Sequence, residues 1–193
     1  MTKLIDKVDE LKKRLIIDTA NKYFKLFGYE KTQIDKISKE LGVGVGTIYG
    51  YFKSKEGLFL AWLGSIIENA YEEIKLICSD VKDPIKKLEK IAEYKFQYFE
   101  KNKTTIKAYM ENNQLFLRGI SRRKEHPMAP VYWYCADIIK NIKKMSDDSA
   151  YLFANIFDSM INCYIECSLE NEDLLGKEKE VVKRFLATLE VKS

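Results

Sequence analysis

Between Leu41 and Tyr51 three glycines alternate with valines and lead into a threonine, giving Gly42-Val43-Gly44-Val45-Gly46-Thr47-Ile48-Tyr49-Gly50-Tyr51. Two chemistries use such a pattern. A glycine-rich loop cradles phosphate on its backbone N–H groups when it follows a β-strand and opens a helix. A tight glycine turn between two short helices makes a helix-turn-helix, which presents the start of its second helix to base edges in a DNA groove. The residues before the glycines, Asp35 to Leu41, have helical spacing and no strand pattern lies near, so the second chemistry is favoured. Elsewhere Cys163 and Cys167, four apart, share a helix face and could begin a metal or redox site. The one histidine, His126, does not complete a ligand set, and core packing is the expected role of both thiols. Arg118, Arg122, Arg123 and Lys124 form a basic cluster that could hold an anion, although a solvated loop explains it as simply. No nucleophile–base pair, paired carboxylates or metal set is evident, so neither catalysis nor a cofactor is expected.

The elements that must position the glycine run are helices. Ile16, Ala20, Tyr23, Phe24 and Phe27 recur on one face of a helix from about Asp9, which Gly28 ends. Thr32 is placed to cap a short helix through Leu41, with Ile34, Ile37 and Leu41 inward and Gly42 supplying the left-handed turn. A third helix spans about Val45 to Tyr51, and Ser54 caps a long fourth one to about Ser79. Asp83-Pro84 opens a helix to about Lys101, followed by a separate one over Thr104 to Leu117. A basic connector, Arg118 to His126, precedes helices over Ala129–Lys143, from the Ser146-Asp147-Asp148 cap to Glu170, and over Lys177–Glu190. The chain therefore reads as all-α, with a helix-turn-helix domain over residues 1–53 and a larger helical domain over 54–193.

Charge divides along the same line. Of 33 Lys and Arg and 29 Asp and Glu, 12 bases and 8 acids fall in residues 1–67, so the whole net charge of +4 lies in the first third. That bias favours a DNA-facing amino-terminal part. No apolar run reaches the ~18–20 residues needed to span a bilayer, so no membrane partner is expected. The amino terminus lacks a hydrophobic signal core, and four cysteines are too few for a disulfide scaffold; a reducing cytoplasm is the expected compartment.

The run Gly28-Tyr29-Glu30-Lys31-Thr32, then Ile37, Leu41-Gly42-Val43, Gly46-Thr47-Ile48-Tyr49 and Tyr51-Phe52-Lys53-Ser54-Lys55-Glu56-Gly57-Leu58 resembles the TetR family of transcriptional regulators. The resemblance implies roles residue by residue. Thr32 would meet a phosphate at the start of the second helix. Val45, Gly46, Thr47, Gly50 and Tyr51 would face the major groove, Tyr49 would reach the DNA backbone, and Lys55 would contact phosphate. Gly44 and Gly50 depart from the family's usual serine and large side chain, and Val45 is apolar where relatives are often polar. Three positions of the reading helix thus offer no side-chain hydrogen bond, which shifts the expected recognition toward thymine methyls, close backbone approach and DNA shape.

The resemblance also implies a repressor that pairs as a homodimer on palindromic double-stranded DNA and releases it when an unidentified small-molecule effector binds. Apolar spacing in the last two helices marks Phe153, Phe157, Met160, Tyr164, Phe185 and Leu189 as candidate dimer residues. Aromatic density in the middle helices marks Trp62, Tyr94, Tyr98, Tyr109, Phe116 and Trp133 as candidate effector contacts, suited to a hydrophobic or aromatic ligand. The alternative reading is a helix-turn-helix protein with a structural role on the chromosome or on a partner.

Overall fold

The computed structural model describes the backbone of residues 2–120, 128–168 and 176–190, and the side chains of residues 6–103, 128–168 and 176–190. Among the described residues all regular structure is helical: α1 (Thr2–Lys31), α2 (Ile34–Leu41), α3 (Val45–Phe52), α4 (Lys55–Cys78), α5 (Pro84–Ile120), α6 (Ala129–Ile142), α7 (Asp147–Ser168) and α8 (Glu178–Glu190). The all-α reading holds. None of the described helices is long and apolar enough to cross a membrane.

Several ends form as the sequence predicts. Ser54 accepts the Gly57 N–H on Oγ at 3.0 Å, and Asp83 Oδ1 accepts the Ile85 N–H at 2.9 Å. Ser146 Oγ accepts the Ser149 N–H at 3.3 Å before α7. Two expectations are corrected. Thr32 does not cap α2: Gln33 occupies that position, and the Thr32 hydroxyl turns back to donate to the Gly28 carbonyl at 2.7 Å. Gly28 itself departs from helical geometry (φ 71, ψ 175), leaving that carbonyl free to accept. The break expected between Lys101 and Thr104 is absent, and α5 runs through it. That stretch is polar but contains neither glycine nor proline, so nothing in its backbone chemistry stops a helix.

The chain separates into two compact units. The first comprises residues through Glu68 with the later part of α5 from Thr104, and the second begins at Asn69, so α4 and α5 each contribute to both. In the first unit Ile16, Ala20 and Phe24 of α1, Ile34 and Ile37 of α2, Ile48 of α3 and Leu58, Phe59 and Trp62 of α4 make one buried cluster. Phe59 is its hub, with its ring 5.0 Å from each of Phe24, Tyr29 and Trp62. The division expected at residue 53 would cut this cluster, because the first two turns of α4 help to close it. In the second unit α6 packs along α7 and α7 against α8. The core there includes Ile139, Phe157, Ile161, Val181, Val182 and Phe185.

Candidate nucleic-acid interface

The turn between α2 and α3 is built on Gly42, which is left-handed (φ 66, ψ 28) and closes α2 with its N–H on Lys39 O at 3.2 Å. Val43 N–H completes the closure on Ser38 O at 3.0 Å. A residue with a Cβ is strained in that backbone region, which is why the turn calls for glycine. Gly44 then occupies the N-cap of α3 in an extended conformation, and its carbonyl accepts the Thr47 N–H at 2.9 Å. At about 100° per residue the face of α3 opposite the fully buried Ile48 is centred on Gly46 and Gly50. Gly46, Thr47, Tyr49 and Gly50 are exposed, and Val45 and Tyr51 are half-buried at the flanks. The outermost ridge of the reading helix is therefore two glycines one turn apart, with Thr47 and Tyr49 on either side. Tyr49 is 41% exposed, and no atom lies within 4 Å of where a Cβ would stand at Gly46 or Gly50.

Polar ties hold this helix pair on α1. Tyr23 Oη donates to Glu40 Oε2 at 2.7 Å and Lys22 Nζ to Glu40 Oε1 at 2.9 Å, fastening α2. Those two hydrogen bonds hold the Glu40 carboxyl below the usual carboxylate range, and the bond to Glu40 raises both Tyr23 and Lys22. Tyr51 Oη donates to Asp9 Oδ1 at 2.8 Å, joining the end of α3 to α1 across 42 residues of sequence, and this bond raises the Tyr51 phenol. Lys13 Nζ sits 5.8 Å from the centre of the Tyr51 ring. Lys55 Nζ donates to the Glu30 carbonyl at 2.9 Å and lies 4.7 Å from the Tyr29 ring centre. Asp9, Lys13, Tyr23 and Glu40 were not visible as site residues in the sequence, because periodicity along one helix does not say which neighbour its polar face meets.

The structure brings Val45, Gly46, Thr47, Tyr49, Gly50 and Tyr51 together on α3, and it places Lys55 at the first turn of α4. Thr32 is different. Its side chain is 2% exposed and its hydroxyl donates to Gly28 O and Tyr23 O, so that side chain faces inward.

The residues named for effector binding fall in both units. Trp62 lies in the core of the first unit, 5% exposed, with its indole N–H on Asn21 Oδ1 at 2.8 Å. Tyr94 and Tyr98 are neighbours on α5 in the second unit, their rings 6.2 Å apart. Burial, and then a hydrogen bond with Glu73, push the Tyr94 phenol well up. Trp133 is 46% exposed on α6 and packs on Tyr151, ring centres 4.6 Å apart. The side chains of Tyr109 and Phe116 lie outside the described residues, as do those of Arg118, Arg122, Arg123, Lys124 and His126. Of the dimer candidates, Phe157, Phe185 and Leu189 are 1%, 0% and 3% exposed within the single chain. Phe157 of α7 and Phe185 of α8 pack on each other, ring centres 4.9 Å apart. Phe153, Met160 and Tyr164 are half-buried. The core role expected for Cys163 and Cys167 is also corrected, since both are exposed. They lie on a face of α7 with Ser159, Asn162 and Glu166 that turns away from the packed seam. Among the described residues no group of three or more His, Cys, Asp and Glu is arranged to hold a metal ion.

Residues 16–62, which carry α2, α3 and the adjoining parts of α1 and α4, match the model of the bacterial regulatory proteins of the tetR family. The chain is 35% identical over 108 residues, 54% of each chain, to an uncharacterized HTH-type transcriptional regulator of Bacillus subtilis, YhgD. It is 45% identical over 64 residues to the fatty acid metabolism regulator protein of the same organism, covering 31% of this chain and 33% of that one. The chain thus spans about half the length of the first relative and a third of the second. Along nearly its full length its fold is similar to that of Thermus thermophilus FadR, a TetR-family transcriptional repressor solved in complex with lauroyl-CoA. The TM-score is 0.68 at 18% identity, over 94% of this chain and 96% of that one. Motif, helix-turn-helix geometry and family match thus agree that residues 16–62 belong to the TetR family of bacterial regulatory proteins, and the fold of the whole chain is similar to that of a solved member.

Proposed function

We propose that this protein is a DNA-binding transcriptional repressor that binds a palindromic operator as a homodimer and leaves it when a hydrophobic ligand occupies its second unit. The observation that carries the DNA half is α3 itself. It is a short helix anchored inward by Ile48 and tied to α1 through Tyr51, and its opposite ridge is exposed and free of bulk. Such a helix can lie close against base edges in a major groove while flanking cations meet phosphates. The excess of bases in residues 1–67 supports the same side for DNA.

Pairing supplies the second half-site. Two reading helices about 34–36 Å apart, or a multiple of that, match the helical repeat of DNA. The outward faces of α7 and α8, with Phe153, Met160 and Tyr164 only half-buried, are the surface for the second copy. For the ligand, one relative's name and one fold neighbour's bound molecule both concern fatty acids, which makes a long-chain fatty-acyl-CoA the first class to try. Tyr94 and Tyr98 of α5 are the candidate contacts in the second unit. Since α4 and α5 each contribute to both units, a ligand that prefers one arrangement of them shifts the population away from the DNA-binding one.

The test is selection of bound duplexes from a random pool by the purified full chain, with affinity titrated against salt, followed by lauroyl- or stearoyl-CoA on the selected site. A palindrome bound by a dimer, with steep salt dependence and release by the acyl-CoA, is the expected result. A folded dimer that enriches no sequence would overturn the repressor reading in favour of a structural role on the chromosome. Enrichment without release would remove this ligand class and leave the DNA reading standing.

A further inference from the structure

The residues preceding the family-model match are not a passive extension. The match begins at residue 16, but α1 begins at Thr2, and its early turns reach the far end of the reading helix. There Asp9 Oδ1 accepts the Tyr51 hydroxyl at 2.8 Å, and Lys13 stands over the ring. The Asp9 carboxylate is 48% exposed and has one distant cationic neighbour, Lys12 at 4.0 Å.

An exposed carboxylate is an unexpected group on the side of a basic unit that faces phosphates, because it repels them. The bond is part-buried, and a single hydrogen bond of this kind makes only a modest net contribution to stability. What the bond does supply is orientation. Tyr51 lies on the flank of α3 at its carboxy-terminal end, half-buried against the cluster around Phe59. Packing limits its ring, while the bond to Asp9 fixes the end that carries the hydroxyl, which would otherwise have to be immobilised when DNA binds.

We infer that Asp9 is a positioning residue for the DNA interface, whose carboxylate accepts the Tyr51 hydroxyl and holds the ring in its reading orientation before DNA arrives. The inference rests on the proposed DNA-binding function. It separates two effects that one carboxylate has at once. The negative charge weakens binding to every duplex alike, and the hydrogen bond favours the duplex whose groove edge suits the fixed ring.

Asn and Ala substitutions divide these effects. Asp9→Asn keeps a hydrogen-bond acceptor and loses the charge, whereas Asp9→Ala loses both. Fluorescence anisotropy with the full-length chain, on the selected duplex and on a scrambled one at several salt concentrations, gives the ratio of specific to random affinity. Asp9→Asn should bind both duplexes more tightly with the ratio kept. Asp9→Ala should lower the ratio by roughly three- to tenfold, the cost of immobilising one side chain on binding. Tyr51→Phe, which removes the same bond from the other end, should lower the ratio equally, and the double variant Asp9→Ala with Tyr51→Phe should lower it no further. An Asp9→Ala ratio equal to that of the unaltered chain, or to that of Asp9→Asn, would overturn the inference, because charge alone would then account for Asp9. If Asp9→Ala does not fold, Tyr51→Phe decides on its own, and an unchanged ratio sinks the idea. An unaltered chain with no preference between the two duplexes would overturn the DNA-reading function and this inference with it, and that outcome is seen before any variant is made.

Discussion

The two units spend their polar groups in different ways. In the first unit, beside the inward bonds of Thr32 and Trp62, the ties that join its helices lie at the margin of the core: Tyr23, Lys22 and Glu40 join α1 to α2 at the surface, and Tyr51 joins α3 to Asp9 through a part-buried bond. Its interior is aromatic and aliphatic, gathered around Phe59. In the second unit the main polar network runs from a half-buried ion pair out to the surface. Lys95 of α5 pairs with Asp158 of α7, at 17% and 13% side-chain exposure. Tyr132 of α6 donates to the same carboxylate at 3.2 Å, and Asn162 donates to it at 3.0 Å while accepting from Lys95 at 3.1 Å. Three helices meet on one aspartate. A DNA-reading unit needs its polar atoms at the surface, where phosphates and bases will compete for them. On the proposed function, the bundle that takes the ligand is better served by a shielded network, which is directional and tolerates few alternative packings.

A first effect tests the half-buried side of this contrast. Asp158→Ala leaves the half-buried Lys95 ammonium without its counter-charge and Tyr132 without this acceptor, at a cost of about 1–3 kcal/mol. Hydrogen exchange should show faster opening in α6 and α7 and little change in α2 and α3. Equal loss in both units would mean that they do not differ in the way described. Replacing the pair together, Lys95→Met with Asp158→Leu, should recover most of the stability, because apolar groups of similar size need no partner.

Next comes the junction of α3 and α4 in the first unit. A Cβ on Gly57 would stand 1.9 Å from the Phe52 carbonyl oxygen and 3.1 Å from its carbon. That oxygen already accepts the Ser54 N–H at 2.7 Å, so the backbone has little room to retreat. Gly57→Ala should therefore cost about 2–3 kcal/mol in thermal or urea unfolding and tilt α3 so that Ile48 leaves its buried place in the cluster. Wild-type stability in this variant would show that the junction can move freely, and that the polar ties alone position α3.

How much of this was legible beforehand follows the same division. Gly42, Ser54 and Asp83 act as the sequence suggests, because a turn or cap is decided within a few residues. Thr32 misled because its carbonyl partner is set free by the departure from helix at Gly28, which composition does not reveal. Trp62 read as a ligand contact because it is aromatic in a middle helix, yet its partner Asn21 is 41 residues away. Phe157, Phe185 and Leu189 have interface-like spacing, but an apolar stripe looks the same whether a neighbour in its own chain or a second copy covers it. Motif and local chemistry thus exposed the helix-turn-helix, while the Asp158 network and the direction of each stripe depend on contacts between distant helices.

A smaller effect concerns charge at the DNA face. Lys55 is held by the Glu30 carbonyl and the Tyr29 ring, so its ammonium is presented from a fixed place at the start of α4. Lys55→Ala should weaken binding to specific and random duplexes alike, and flatten the logarithmic salt dependence by about one phosphate contact. A loss confined to the specific duplex would make Lys55 a reader and not a phosphate contact.

The smallest change in the free protein asks what the bare ridge of α3 is for. Gly50 has open space around it, and alanine is preferred to glycine inside a helix by about 0.8–1.0 kcal/mol. Gly50→Ala should therefore stabilise the free chain slightly, with nothing inside the molecule objecting to the methyl group. If the glycine serves the fold, the variant has no reason to be worse at anything. If the ridge approaches base edges directly, the methyl group meets DNA and the selected duplex is bound less tightly although the protein is more stable. A gain in stability coupled to a loss of specific affinity would assign Gly50 to an object outside the chain. Unchanged affinity would leave Thr47, Tyr49 and Tyr51 as the readers and the ridge as an accident of composition.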